Sequence, residues 1–129
     1  MKEVIVPATH SVSVTVTENL TAKAMGSGSL PVYATPAMAA LMEQASAELA
    51  NRFLDEGETT VGTALSLEHL AASPVGIKIT AEATLIENDR RRFEFEVVVK
   101  DEKEVIGKAK HTRFLVYAEK FLEKANSKL

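Results

Sequence analysis

Between Ser11 and Thr17 the chain alternates without a break: Val12, Val14 and Val16 point one way, and Ser11, Ser13, Thr15 and Thr17 the other. A period of two with β-branched residues predicts a strand with one face buried. The next stretch, ENLTAKAMGSGSLPVYA, loses the pattern. Its Gly26, Ser27, Gly28 and Ser29 predict a mobile loop. A helical period then takes over from residue 36 to 54. Met38, Met42, Ala45, Leu49 and Phe53 fall on one stripe, and Gln44, Glu48, Asn51, Arg52 and Asp55 on the opposite side. Thr35 reads as the N-cap and Pro36 as the first helical residue, with Gly57 following the end. This is the only substantial helix the pattern predicts.

Alternation then returns four times. Val61, Thr63, Leu65, Leu67, His69 and Ala71 share one face of a strand that ends at a Ser73-Pro74 turn. Val75, Ile77, Ile79, Ala81, Ala83 and Leu85 share a face of the next. Phe93, Phe95, Val97 and Val99 alternate with Glu94 and Glu96 beyond an ENDRR turn. The last strand runs from Val105 to Tyr117, and the switch of its apolar side between Ala109 and Phe114 predicts a bulge there. Short connections imply that these four strands form an antiparallel meander. The expected fold is α+β, in the order β-α-β-β-β-β, with a five-stranded antiparallel sheet wrapped around one long helix. Residues 1–129 are read as one domain. Exposed sheet edges and a single covering helix predict a homodimer or a dimer of dimers.

Composition narrows the function classes. A net charge of −3 offers no general attraction to nucleic acid. The absence of cysteine excludes disulfides, thiol nucleophiles and thiolate metal sites, and suits the cytosol. The start, MKEVIVPATHSV, has no long apolar core before a small-residue cleavage site, so it does not read as a signal peptide. No apolar run approaches the ~20 residues of a membrane span, so no membrane partner is expected. Three scattered histidines lack metal-ligand spacing, and no metal is expected.

Two polar residues interrupt apolar lines. Glu43 has Ala39, Ala47, Ala50 and Leu54 as its one- and two-turn neighbours, off the polar stripe. A carboxylate in that setting is costly unless paired or held protonated, and either outcome suits a general base or nucleophile. A glutamate at the boundary, reaching to solvent, is the plainer reading. His69 follows Leu65 and Leu67 on the inward face, as a proton shuttle or as a hydrogen-bonded core residue. Gly62 marks a bulge or a close approach. Asp89 to Arg92 could meet phosphates, or form a solvated turn. His10 and His111 receive no assigned role.

Taken together, ATPAMAALMEQAS followed by VGTALSLEHLAASPVG resembles the fluoroacetyl-CoA thioesterase-like branch of the hotdog superfamily. The resemblance runs from Leu30 to the tail YAEKFLEKANSKL and keeps the interval from Thr35 to Glu43 and from Glu43 to His69. It implies a hotdog fold and hydrolysis of a small acyl-CoA. Thr35, Glu43 and His69 would be the catalytic set at a dimer-interface pocket, with Arg113 and Gly62 near the acyl-CoA. No cofactor is implied beyond the coenzyme A of the substrate. Backbone N–H groups of Ala37 and Met38, at the helix start, would hold the thioester oxyanion. Members specialised for the fluorinated substrate carry aromatic residues before the helix, where this chain has only Tyr33. A non-catalytic acyl-CoA or small-ligand-binding module is the alternative, and a hotdog dehydratase a third.

Overall fold

The computed structural model describes residues 1–129. Five strands, β1 (Ala8–Thr15), β2 (Glu58–His69), β3 (Lys78–Asp89), β4 (Arg92–Lys100) and β5 (Val105–Tyr117), form one antiparallel sheet. The helices are α1 (Ala22–Met25), α2 (Thr35–Asn51) and α3 (Ala118–Asn126). The long helix α2 lies in the hollow of the sheet, mainly against β1, β2 and β3. Its expected stripe is buried: Met38, Met42, Ala45 and Leu49 join Ile79, Ala81, Ala83 and Leu85 of β3 and Phe93, Phe95, Val97 and Val99 of β4 in one core. Alternation in the sequence therefore placed these side chains on the correct face. None of the helices is long and apolar enough to cross a membrane.

The strand order, β1-β3-β4-β5-β2, corrects the expected meander. Only β3, β4 and β5 run as consecutive neighbours. β2 stands at the far edge, paired with β5, and the chain crosses back through residues 70–77 to start β3. Eight extended residues reach ~26 Å, whereas three strand spacings need only ~14 Å, so the connection is long enough. Ser73 Oγ donates to Asp101 Oδ2 at 2.8 Å and fastens this crossing to the β4–β5 turn. As a result the edge of β2 away from β5 has no strand beside it.

Other expectations change in detail. Residues 18–34 are folded, with a 3-10 turn at Glu18–Leu20, the helix α1, and a bridge from Thr21 to Tyr33. The helix α3 was not expected. It is exposed throughout and presents Phe121 and Leu122 to solvent, although Ala118, Phe121, Leu122 and Ala125 recur at helical spacing and the strand reading stopped short of them. In β2, Gly62 pairs with Arg113 and Ala64 with Thr112, which leaves Thr63 as an extra residue. That bulge reverses the alternation, so Val61 does not share a face with Leu65, Leu67 and His69; Thr60 and Gly62 do. In β5 no bulge falls between Ala109 and Phe114. Gly107, Ala109, His111, Arg113 and Leu115 are all buried, and the irregular residue is Ile106. The apolar pattern broke because two inward positions are polar.

Candidate active site

The first turn of α2 faces the end of β2. Ala34, with extended dihedrals and no side-chain cap, is the N-cap, so Thr35 is the first helical residue and Pro36 the second. Thr35 therefore does not cap the helix, and its hydroxyl reaches outward instead: its Oγ1 lies 2.8 Å from His69 Nδ1. The other ring nitrogen, His69 Nε2, is buried without a hydrogen-bond partner. Burial pulls the His69 pKa below its ordinary value, against a smaller opposing effect of the Ala71 backbone beside the ring, which favours the neutral ring. Thr35 and His69 line a cleft of about 350 Å³ with Ala22, Val32, Tyr33 and Ala71. Of the two backbone donors expected here, Met38 N–H is already bonded to Ala34 O at 3.0 Å, which removes it from the expected pair. Ala37 N–H has no such partner. The Met38 side chain is core, packed so closely under Gly107 that a β-carbon there would stand 2.5 Å from its sulfur.

A second cluster lies two turns further along α2. Glu43 Oε1 is 3.7 Å from an Arg113 terminal nitrogen, and the Glu43 side chain remains 46% exposed. Its setting is therefore paired rather than desolvated. Arg113 is buried and held on three sides. Its Nε donates to Thr60 Oγ1 at 2.9 Å, one terminal nitrogen donates to Thr60 O at 3.0 Å, and the other is 3.2 Å from His111 Nε2. His111 Nδ1 is 2.8 Å from Ala64 O, beside the bulge. Donation to that carbonyl leaves Nε2 free to accept from Arg113, so the neutral imidazole fits both contacts. Burial, and secondarily the Arg113 charge, lowers the His111 pKa. Gly62 completes the cluster as a close approach.

The two clusters do not meet within one protomer. Thr35 and Glu43 are eight helical positions apart, ~12 Å of rise, and Glu43 makes no contact with His69. The set that the resemblance implies, Thr35, Glu43 and His69, is therefore not gathered inside a single chain. Both clusters do lie along the same side of α2, against β2. Two of the three arginines in the basic turn are engaged within the chain: Arg92 pairs with Glu87 and Glu94 at 2.8 Å each, and Arg91 lies over the Tyr117 ring. His10 is bound to Glu48 and Arg52 at the surface. Sequence reading assigned nothing to Thr60 and His111. The break in β5 alternation was the only signal for His111, and Thr60, on β2, had none.

Residues 16–119 match the family model described as fluoroacetyl-CoA-specific thioesterase. The chain belongs to that family. It is a thioester hydrolase with the hotdog fold. It is 36% identical over 97 residues to a fluoroacetyl-CoA thioesterase of Streptantibioticus cattleyicolor, covering 75% of this chain and 70% of that protein. Among solved structures, a threonine-to-serine variant of the thioesterase FlK in complex with acetyl-CoA superposes with a TM-score of 0.92. It is 29% identical, over 97% of this chain and 98% of that one. A hot-dog-like protein from Thermanaerovibrio acidaminovorans, 17% identical over 95% of this chain and 91% of its own, reaches a TM-score of 0.86. That likeness concerns the fold alone.

Proposed function

We propose that the protein hydrolyses small acyl-CoA thioesters, at a site built from two protomers. The observation that carries this reading is the Thr35–His69 contact, which leaves a neutral imidazole with an unpartnered nitrogen beside a cleft. The acetyl-CoA bound to the FlK variant supports the substrate class.

Two protomers are proposed because of the spacing along α2. An isologous two-fold contact brings residue i of one chain to residue j of the other, and j to i. A second α2, antiparallel and crossing near Ala39, would set the partner subunit's Glu43 beside Thr35 and His69. The same operation builds an identical second site. Ala39 and Ala40 on this side are small enough for close approach, and the open edge of β2 is available for pairing.

In that arrangement the partner's Glu43 takes a proton from water as the water oxygen attacks the thioester carbonyl carbon. Ala37 N–H stabilises the oxyanion. The oxyanion collapses and the C–S bond breaks. The proton passes from the carboxyl group through His69 Nε2 to the departing thiolate, which restores both residues. Thr35 keeps the imidazole aligned through its contact with Nδ1, and Arg113 holds the carboxylate in place. The reaction uses side chains, water and the substrate's own coenzyme A, with no further cofactor.

Complementation tests this reading. Glu43→Gln and His69→Ala proteins should each be nearly inactive with acetyl-CoA. Mixed dimers carry one site in which both residues are intact. Random mixing should therefore restore about a quarter of wild-type thiol release. No recovery from a mixture proven to contain mixed dimers would refute the shared site. Binding of acetyl-CoA by the wild type without thiol release would favour a ligand-binding module.

A further inference from the structure

Tyr33 separates two clefts. One is the Thr35–His69 cleft. The other, of about 200 Å³, is lined by Ser13, Val14, Leu20, Ala37, Leu41 and Gln44, among others. Tyr33 is the one residue common to both walls, and it is 1% exposed. Its ring meets His69 edge-on, with centroids 6.4 Å apart. Its hydroxyl is buried with no hydrogen-bond partner. Together with His69 Nε2, it is one of two buried side-chain polar atoms in the protein left unpaired. Burial pushes the phenol pKa up to about 12, so the group is a neutral donor at any working pH.

A phenylalanine would block the passage between the clefts equally well. It would also avoid burying an unpaired hydroxyl, which is costly. The hydroxyl therefore calls for a partner that arrives with the ligand. We propose that Tyr33 sets acyl-group specificity: its ring confines the acyl chain to the Thr35–His69 cleft, and its hydroxyl bonds a polar substituent on a short acyl group. A hydroxyl on the carbon next to the carbonyl, as in glycolyl-CoA, has this chemistry. The inference rests on the thioesterase reading above.

Two variants test it, with kcat/KM measured for acetyl-, glycolyl- and hexanoyl-CoA. Wild type should prefer glycolyl- over acetyl-CoA and react poorly with hexanoyl-CoA. Tyr33→Phe should lower the glycolyl-to-acetyl ratio about tenfold, because a lost hydrogen bond discriminates more strongly than shape. Tyr33→Ala joins the two clefts and should raise the hexanoyl-to-acetyl ratio about tenfold. Thermal melting is read on the same samples. A Tyr33→Phe protein that melts higher but keeps its glycolyl-to-acetyl ratio within twofold overturns the hydroxyl's role and makes the residue packing only. An unchanged hexanoyl-to-acetyl ratio in folded Tyr33→Ala overturns the partition. Should Tyr33→Ala fail to fold, Tyr33→Leu, which also shortens the side chain, replaces it. A wild type that releases thiol from none of the three overturns the thioesterase reading itself, and this inference with it. That result is distinct from active enzyme with unmoved ratios.

Discussion

Gly62 is the residue that gives Glu43 its place: a β-carbon at 62 would stand 2.9 Å from Glu43 Oε1. The same β-carbon would come within 3.1 Å of His111 Cε1 and 3.2 Å of an Arg113 terminal nitrogen. Arg113 and His111 are buried and held by their own hydrogen bonds, whereas Glu43 is half exposed and held only by its 3.7 Å approach to Arg113. Gly62→Ala should therefore displace the carboxylate first. The expected result is a loss of roughly tenfold or more in kcat, since small misplacements of a catalytic group are costly. Melting should change little. Steady-state rates and a melting curve on one preparation check this; wild-type turnover would show that Glu43 needs no room there.

Glu43→Gln keeps the shape of the side chain but cannot take a proton. Hydrolysis should fall on the order of 10²–10⁴-fold, the usual scale for a lost general base. The group is exposed enough that folding should be nearly unaffected, apart from a weakened approach to Arg113. Thiol release measured alongside circular dichroism would separate the two effects, and activity within about threefold of wild type would remove Glu43 from the mechanism.

His69→Ala should lower turnover more than apparent substrate affinity, because a proton shuttle acts in the transition state. A core histidine would behave differently, with a lower melting temperature and unchanged turnover per folded molecule. Nε2 makes no hydrogen bond of good geometry, although the Ala71 backbone acts on the ring, and a nitrogen so placed is able to exchange a proton.

Stability should fall on mild acidification. The folded-state pKa values of His69 and His111 are both lowered, mainly by burial. As pH drops below about 6.5, the unfolded chain binds protons that the folded one refuses. The folded state therefore loses stability from about 6.5 down toward the lowered folded pKa values, and neither group contributes a slope above that range. His111→Gln keeps an acceptor for Arg113 without a titrating ring. It should flatten the decline in melting temperature below about pH 6.5. A slope identical to wild type would exclude His111 as a source.

Much of the molecule was legible in the local pattern. The stripe from Met38 to Phe53 located the helix, and alternation located all five strands and most of their inner faces. The carboxylate on the alanine line proved to lie against β2, and the histidine on the leucine line to end it. These features are legible because a side chain's facing depends on the repeat of its own backbone. The strand order was not, because loop length limits which strands can pair without choosing among them, and residues 70–77 reach across three strands as readily as they could turn back. Nor could the sequence place Arg113 and His111 inward. Polar residues on a buried face read as a slipped register until the bulge at Thr63 supplies Ala64 O, and Thr60 and Glu43 supply the rest of their partners. The same holds for Thr35, whose hydroxyl could cap its own helix or reach His69. Only the packing of α2 against β2 decides, by bringing a ring nitrogen within 2.8 Å of an oxygen that local structure alone would have spent on the backbone.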